Sequence, residues 1–372
     1  MRIAHVVAHQ VTAPTSGYAT RTWTISRALA QAGDLTIVHV GADPGDDDHR
    51  PEPVELDHGV VARYERVTTA DLAARLAGHD LDVVVAGEPT LVPGIVGAPV
   101  ARRIVDCQNV ESDLWRAHAT RGPARERAAN EQRARASDLL ERSVFPRLDQ
   151  VWTVSGADAD TLAARVPAPM IEVVPNVVAV PDDDPGPRAS IPGHGVFFGS
   201  LWYPPNQDAA TELLAVSEAL TRREQPHRFT VAGAGAPEWL ARELARASAV
   251  AAPGFVADLG TLLDGAACAV LPMTYGGGSM VKLLTALGAG CPVVTTPDGS
   301  RGIPELADGV HLVVRPLGEP FVDAVAAALA HPERFDGLGR EGARLVRDRY
   351  SLDVLDARVW ELLGSTTAVP GG

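Results

Sequence analysis

Short apolar runs rich in Val and Ile alternate with helical patterns along nearly the whole chain, and this alternation restricts the fold more than any other feature. In the first half such runs cover residues 2–9, 35–41, 60–67, 81–87, 102–107 and 150–155. Continuous apolar runs are typical of parallel strands buried on both faces by crossover helices. The sequence therefore predicts an α/β fold with parallel sheets, with a first helix from about Tyr18 to Ala32.

A stretch rich in Pro, Gly and Asp, PDDDPGPRASIPGHG at 181–195, interrupts the alternation and has the composition of an interdomain linker. A second series of apolar runs covers residues 195–200, 228–235, 250–256, 268–273, 291–296 and 309–314, and a last helical segment follows at 351–364. We therefore predict two α/β domains with ligand space between them, outside the carboxyl ends of the strands. The predicted segments are 1–180, 181–195, 196–349 and 350–372.

Composition and charge narrow the class of protein. Apolar residues make up 46% of the 372 residues, which is enough to build buried cores and argues against disorder. The formal charge of −14 disfavours nucleic-acid binding, because that affinity comes mainly from neutralising phosphates. A local basic pocket for a phosphorylated small molecule is still compatible with this charge.

Cysteine usage and hydropathy indicate a cytoplasmic protein without a bound metal. The three cysteines are far apart in sequence, without metal-binding spacing, and are expected to be buried reduced thiols. The opening MRIAHVVAHQ reads as a first strand and no run approaches a membrane span. The charged helical stretch 112–143 is expected to lie in solvent, with a peripheral membrane-surface role as the weaker alternative. The sequence does not indicate the oligomeric state.

The stretch GGGSMVKLLTALGAGCPVVTT at 276–296 predicts a phosphate-binding loop that leads into a helix and a buried strand. Three glycines precede Ser279, which can cap the helix. The free N–H groups and dipole of a helix start favour an anion. Lys282 follows within about one turn and can meet a phosphate as a point charge. The alternative is a flexible turn with a solvated lysine.

Three other loops follow apolar runs and are candidate ligand contacts. Gly199 and Ser200 end the run in FFGSLWYPPNQDAA, where the glycine serves either ligand approach or a tight turn. VAGAG at 231–235 resembles part of a dinucleotide fingerprint but lacks its third glycine, so we expect a supporting turn. Gly17, in TAPTSGYATR, precedes the first helix and contacts a ligand phosphate or an acceptor, or only forms a turn.

Candidate acid–base residues are few. Glu88, in AGEPT, follows an apolar run and is the best candidate by position, while Gln108, Asn109 and His118 lie in or after the segment DCQNVESDLW. Taken singly, each of these residues is more often structural than catalytic.

Taken together, these segments resemble the GT-B glycosyltransferases of group 1, also called glycosyltransferase family 4. The resemblance rests on PTSGY (14–18), DCQNVE (106–111), ERSVFPRLDQVWTVS (141–155), VVPNVV (173–178), FFGSLWYPPNQDA (197–209), VAGAG (231–235), GFVADL (254–259) and GGGSMVKLLTALGAGCPVVTTPDGSRG (276–302). It implies two Rossmann-like domains that face a cleft, with the nucleotide-sugar mainly on the second domain, the acceptor mainly on the first, and a final helix that crosses back to the first. It also implies that neither a metal nor a cofactor is needed.

The resemblance also implies roles for individual residues. Gly199 and Ser200 are expected near the donor phosphates, and Phe255 and Val256 near the nucleobase. The expected phosphate cradle consists of Gly278, Ser279, Met280 and Lys282.

The sequence departs from the family pattern at several of these places. Two glutamates common in the family, one facing the donor sugar and one the ribose, are replaced by Gly277 and Thr285, and a basic residue often found beside the lysine is Met280. A hydroxyl at 285 can still bond the ribose, but without charge assistance. Gln108 stands where the family often has His, and glutamine cannot act as an acid or base.

The predicted function is that of a metal-independent, retaining glycosyltransferase of the hexosyltransferase type (EC 2.4). It would move a sugar from a UDP-, GDP- or dTDP-linked donor to a small molecule or glycan precursor, with Lys282 and Glu88 as the candidate catalytic residues. A composition rich in Ala, Arg, Asp and Pro suggests a high-GC bacterium, where such enzymes often act in secondary-metabolite or envelope biosynthesis. The alternatives are a non-catalytic GT-B-like partner subunit, an enzyme that couples a pseudo-sugar or cyclitol, and a UDP-sugar epimerase.

Overall fold

A computed structural model describes residues 1–11, 16–41, 52–57, 59–122, 124–167, 170–181, 186, 188–275 and 280–364. The chain forms two compact units. The first unit contains Met1–Val177 and the segment that begins at Leu352, and the second unit is Val178–Ser351.

An eight-stranded sheet is the centre of the first unit, in the order β3-β4-β2-β1-β5-β6-β7-β8. In chain order its elements are β1 (Arg2–Val7), α1 (Gly17–Ala32), β2 (Asp34–Val40), β3 (Glu52–Asp57), β4 (Val60–Val67), α2 (Leu72–Gly78), β5 (Val83–Ala86), α3 (Val92–Ile95), β6 (Arg102–Cys107), α4 (Glu111–Arg121), α5 (Arg127–Val144), β7 (Gln150–Thr153), α6 (Gly156–Ala163) and β8 (Ile171–Val173). All neighbouring strands are parallel apart from β3, which pairs antiparallel with β4 at the edge.

The predicted parallel sheet is therefore confirmed, but the strands β3 and β8 were not predicted from the sequence. The segment Glu52–Asp57 has three acidic residues and a Pro among six, a composition that an edge strand tolerates but a central strand does not. The helical stretch predicted at 112–143 consists of two helices, α4 and α5. The sequence Gly122-Pro123 ends the first of them, because Pro disfavours helical backbone in the residue before it.

The second unit contains a six-stranded sheet in the order β11-β10-β9-β12-β13-β14, and all its neighbours are parallel. Its elements are β9 (Ile191–Phe198), α7 (Pro204–Arg222), β10 (Arg228–Ala232), α8 (Glu238–Arg246), β11 (Val250–Gly254), α9 (Leu259–Asp264), β12 (Ala266–Leu271), α10 (Val281–Gly288), β13 (Val293–Thr295), α11 (Pro297–Ser300), β14 (Val313–Val314), α12 (Glu319–Ala330) and α13 (Asp336–Tyr350). The linker prediction for 181–195 is wrong in its last five residues, since Ile191 already pairs with Ala266 of β12. That tertiary pairing outweighs the local Pro and Gly content.

The last helix, α14 (Leu352–Gly364), belongs to the first unit. Its apolar residues Leu355 and Val359 are fully buried there, in the same core cluster as residues of α1. Arg27 of α1 donates to Asp356 at 2.7 Å and to Asp57 at 2.7 Å, so one guanidinium joins α1 to α14 and to the end of β3. No helix in the described part of the chain is long and apolar enough to cross a membrane.

A buried ion pair joins α1 to the central strand β6. Arg21 is 1% exposed and Asp106 is 2% exposed, and the guanidinium donates to both carboxylate oxygens at 3.0 and 2.5 Å. A third bond runs from Arg21 to the carbonyl oxygen of Pro175 at 2.7 Å. Losing one partner of such a pair leaves the other charge buried and unpaired, which is the costly case.

We expect Asp106→Asn to lower the free energy of unfolding by about 3–5 kcal/mol, because Arg21 then has no countercharge. Glu238→Gln on α8 is the matched control, since its pair with Arg242 is solvent-exposed and should be worth less than about 1 kcal/mol. Urea unfolding followed by tryptophan fluorescence measures both. Equal effects from the two substitutions would contradict the assignment of Arg21–Asp106 as a stabilising pair.

Candidate functional site

Three strands of the second unit end on glycines whose backbones are in direct contact. The Gly199 N–H donates to the Ala232 carbonyl at 2.9 Å, and the Gly233 N–H donates to the Gly254 carbonyl at 2.7 Å. A Cβ on Gly233 would lie 1.9 Å from the Gly199 carbonyl oxygen, so no side chain fits there. Gly233, in the VAGAG segment, therefore serves close backbone packing, and a supporting role near a ligand stays a prediction.

The Lys282 side chain reaches from the start of α10 to this glycine cluster. Its ammonium lies 4.8 Å from the centroid of the buried Phe197 ring and 3.7 Å from the Met273 sulfur. It also donates to the side-chain oxygen of Asn206 on α7. The Asn206 amide in turn donates to the Ser200 carbonyl at 2.9 Å. Asn206 thus connects the lysine to the loop after β9.

Gly199 leaves the space in which this arrangement forms. Its φ of +148° is one that other residues rarely adopt. A Cβ there would lie 2.8 Å from the Asn206 amide nitrogen and 3.2 Å from the Lys282 ammonium. The structure therefore brings together three of the predicted donor-site residues, Gly199, Ser200 and Lys282, around an asparagine that the sequence analysis did not single out.

Lys282 has no countercharge among the described residues. In the part of the chain that the structure describes, its partners are an amide oxygen, a thioether and an aromatic face, and no carboxylate pairs with it. Burial lowers the pKa of its ammonium to about 7. It is also the single lysine of the chain, all other members of the 33 Lys and Arg residues being arginine. Position 282 is therefore the one basic position of the chain that has a compact ammonium in place of a guanidinium.

The other predicted donor-site residues around Lys282 lie at the start of α10 or just before it. Helix α10 begins at Val281 and its N-cap residue is Met280, one residue later than the cap predicted at Ser279. The Met280 side chain packs against the apolar core. The Thr285 hydroxyl donates to the Val281 carbonyl at 2.9 Å, so only its lone pairs are available to a ligand. Gly277, Gly278 and Ser279 lie outside the described residues.

The predicted nucleobase contacts follow β11. Phe255 is 61% exposed, whereas Val256 is partly buried against the core of the second unit. A large exposed aromatic ring after a strand end has room to stack on a planar ligand.

Gly17 and Glu88 belong to the first unit. Gly17 is the exposed first residue of α1, and Ser16 caps this helix by accepting a bond from the Ala19 N–H at 3.1 Å. Glu88 follows β5, where its carboxylate accepts hydrogen bonds from the Tyr18 hydroxyl at 3.1 Å and from the Thr90 hydroxyl.

A cavity of about 230 Å³ surrounds Glu88. It lies after β5 and β6, and its walls include Tyr18, Gln108, Asn109, Glu111, Trp115 and Glu141. Burial, with the nearby charges of Glu88 and Glu141, raises the pKa of Glu111 to about 7, against hydrogen bonds from Asn109 and Trp115 that favour the charged form. The carboxylate of Glu141 accepts bonds from the Ser112 N–H at 3.1 Å and hydroxyl at 2.7 Å.

His118 does not belong to the lining of this cavity. It is buried on α4 beside Trp115, with ring centroids 5.3 Å apart, and burial lowers its pKa. Its position fits a packing role. No group of three or more His, Cys, Asp or Glu residues among the described ones could hold a metal ion.

Sequence reasoning missed Asn206, Glu111 and Trp115 as site residues. Asn206 lies in the first turn of α7, directly after Pro204-Pro205 and on the segment that follows β9, and that position was the available signal. Glu111 ends the DCQNVE segment, but its raised pKa depends on neighbours from another strand and another helix, which the sequence does not reveal.

Residues 193–331, all within the second unit, match the family model for "Glycosyl transferases group 1". No curated protein matches the sequence.

Solved structures with a similar fold cover nearly the whole chain. Sucrose-phosphate synthase from Thermosynechococcus elongatus is 15% identical, with a TM-score of 0.76 and 98% of each chain covered. HepE from Anabaena, solved with UDP-glucose, is 13% identical, with a TM-score of 0.69 and coverages of 98% of this chain and 99% of that chain. WaaG, titled a glycosyltransferase involved in lipopolysaccharide biosynthesis, is 16% identical, with a TM-score of 0.68 and 100% of each chain covered.

Most of the second unit thus matches the model of a group 1 glycosyltransferase domain, and the fold of the two parallel-sheet domains matches GT-B glycosyltransferase structures. The predicted fold class is confirmed by this match.

The single lysine makes its protonation state directly measurable. Protein labelled with [ε-13C]lysine has one lysine Cε resonance, and we expect it to titrate near pH 7 because the ammonium is desolvated without a countercharge. Unfolding in urea should move the midpoint to near the ordinary lysine value of about 10.4. A midpoint above pH 9.5 in the folded protein would contradict the described environment.

The same shift sets a dependence of stability on pH. The folded-state pKa lies below the unfolded one, so between about pH 7 and pH 10 the unfolded chain binds the extra proton and stability rises with pH. Relative to Lys282→Met, which lacks this titration, the native protein should gain up to about 1.4 kcal/mol per pH unit in that window.

Proposed function

We propose that the protein is a glycosyltransferase that moves a hexose from a nucleoside-diphosphate sugar to an acceptor hydroxyl. The observation that carries this proposal is Lys282, the single lysine of the chain, held between Phe197 and Asn206 with no carboxylate partner among the described residues. A desolvated cation without a countercharge favours an anionic ligand, since the ligand supplies the missing charge.

The groups around Lys282 suit a diphosphate. The glycine at 199 leaves its backbone open to a close approach, and α10 starts at Val281, so its first N–H groups and dipole add to the positive potential. Thr285, one turn along α10, can accept a hydrogen bond from a ribose hydroxyl. Phe255 offers its exposed ring to the nucleobase.

Ligands in the similar structures suggest which donor to test first. HepE was solved with UDP-glucose and with UDP and glucose, and a TarM variant from S. aureus was solved with UDP and α-GlcNAc-glycerol. UDP-sugars are therefore the first choice, with GDP- and dTDP-sugars as the next.

In the proposed reaction, the bond between the sugar C1 and the diphosphate oxygen breaks, and its electron pair stays on the diphosphate. The acceptor hydroxyl oxygen forms the new bond to C1 and loses its proton. Lys282 stabilises the negative charge that develops on the leaving oxygen, the role that a metal ion has in other transferases. Retention of configuration is proposed from the family resemblance alone.

The acceptor is assigned to the cavity of the first unit, where Glu88 is the candidate base for the acceptor proton. Among the described residues, Glu88 accepts hydrogen bonds from the Tyr18 and Thr90 hydroxyls, so its carboxylate has lone pairs left for another hydroxyl. This assignment agrees with the family division of labour between the two domains.

A non-catalytic partner subunit is the second candidate, and the observation that favours it is Thr285. The ribose-binding glutamate of the family is absent there, and the threonine hydroxyl already donates into its own helix. Such a subunit would not turn over any donor.

We expect Lys282→Met to weaken binding of UDP and of the matching UDP-sugar by roughly 10- to 100-fold, because a charged hydrogen bond to phosphate is worth about 1.5–3 kcal/mol. Isothermal titration calorimetry measures both ligands. Arg242→Met, on the exposed surface of α8, is the control and should leave affinity unchanged. Lys282→Arg should also bind poorly, since a longer guanidinium does not fit beside Asn206 and Gly199.

Folded variants are confirmed by circular dichroism before titration. If the Lys282 variants fold and bind every nucleotide-sugar as tightly as the native protein, the donor site is wrong. If the native protein binds a donor but neither hydrolyses nor transfers its sugar, the partner-subunit alternative is supported.

A further inference from the structure

The cavity in the first unit has a charge pattern unlike that of the other buried acids in the same unit. Glu65 pairs with Arg75 at 2.7 Å and Asp106 pairs with Arg21 at 2.5 Å, so each of these buried carboxylates has its own cation. No Lys, Arg or His nitrogen of the described residues lies within ion-pair distance of Glu88, Glu111 or Glu141, and only the more distant charge of Arg165 acts favourably on Glu141.

In the described part of the chain, the hydrogen bonds to these three carboxylates come from neutral groups. They are the Tyr18 and Thr90 hydroxyls for Glu88, the Asn109 amide and Trp115 indole for Glu111, and Ser112 for Glu141. Neutral donors orient a carboxylate but do not cancel its charge. The carboxylates do not form a metal-binding group either. The three carboxylates therefore suit an organic cation that is larger than a metal ion.

A second feature of the cavity points to a ligand with hydroxyl groups. Gln108 lines the cavity, and its side-chain amide nitrogen is buried without a hydrogen-bond partner among the described residues. A buried donor without a partner costs free energy until a ligand oxygen accepts its bond. Trp115 forms part of the wall and offers an apolar surface of the kind on which a sugar ring packs.

We propose that the acceptor bound in this cavity is an amine-bearing polyol, such as an amino sugar or an aminocyclitol, whose ammonium lies among Glu88, Glu111 and Glu141 and whose hydroxyl accepts from Gln108. The inference rests on the proposed transferase function and specifies its acceptor. The ammonium serves recognition and has no free electron pair, so a hydroxyl of the same molecule is the nucleophile. Its proton leaves to Glu88 or to solvent as the glycosidic bond forms.

Binding of matched probes to the full-length protein tests this proposal without any donor. The probes are glucosamine against glucose and N-acetylglucosamine, and scyllo-inosamine against scyllo-inositol, so that each amine is compared with a neutral molecule of the same ring. We expect at least one amine to bind 10-fold or more tightly than its neutral counterparts by calorimetry or ligand-observed NMR. The preference should fall to less than 3-fold in Glu88→Gln/Glu111→Gln.

Glu131→Gln, on the exposed side of α5, is the control and should keep the preference. Glu→Gln preserves the shape of the side chain, so we expect both cavity substitutions to be tolerated. If the double variant fails to fold, the two single variants are measured instead. Equal binding of amine and neutral probes, no amine binding at 20 mM, or a preference that survives in the folded cavity variants would overturn the proposal.

Incubation with UDP-sugars separates this proposal from the transferase function. Sugar transfer to neutral acceptors without an amine preference would overturn the cavity assignment and support the transferase. Selective amine binding without any donor binding or turnover would support the cavity assignment and count against the transferase.

Discussion

Burial of both sheets on two faces is the constraint on which the rest of the structure depends. Strands such as β12, buried at every position, have no solvent-facing side on which to place polar chemistry. Polar and glycine residues are therefore confined to the strand ends, and parallel alignment gathers those ends at one edge of each sheet. The lysine site follows β9 and β12, and the acidic cavity follows β5 and β6. Each site therefore consists of the polar and glycine residues at the carboxyl ends of the strands of its own sheet.

The two sites contain unpaired charges of opposite sign. In the second unit an ammonium is held by an amide oxygen, a thioether and a ring, and in the first unit three carboxylates are held by neutral donors. Other buried charges are paired within the protein, as Arg21 is with Asp106 and Glu65 is with Arg75. An unpaired charge in a partly buried site lowers stability, and a ligand of opposite sign recovers part of that loss. The unpaired charges thus support the ligands proposed for both sites.

Lys282 shows how composition and environment combine. Arginine cannot lose its proton in a protein, whereas a buried lysine has a pKa that its surroundings set. Here burial brings that pKa to about 7, so an incoming phosphate would favour the protonated form. The compact ammonium also fits between Gly199 and Asn206, where a Cβ on the glycine would already be too close. The adjustable pKa of lysine and the limited room for its side chain together account for a lysine at this position, where the rest of the chain has arginine as its basic residue.

The sequence by itself determined the fold class, because strand burial on both faces is recorded in the Val- and Ile-rich runs and their spacing. It also determined that Gly199, Ser200 and Lys282 follow strand ends, since glycines and polar residues break those runs. It could not determine the edge strand β3, the start of β9 or the role of Asn206, which depend on pairing with residues distant in the chain. The raised pKa of Glu111 and the lowered pKa of Lys282 were likewise decided only by tertiary structure, since desolvation depends on which neighbours exclude water.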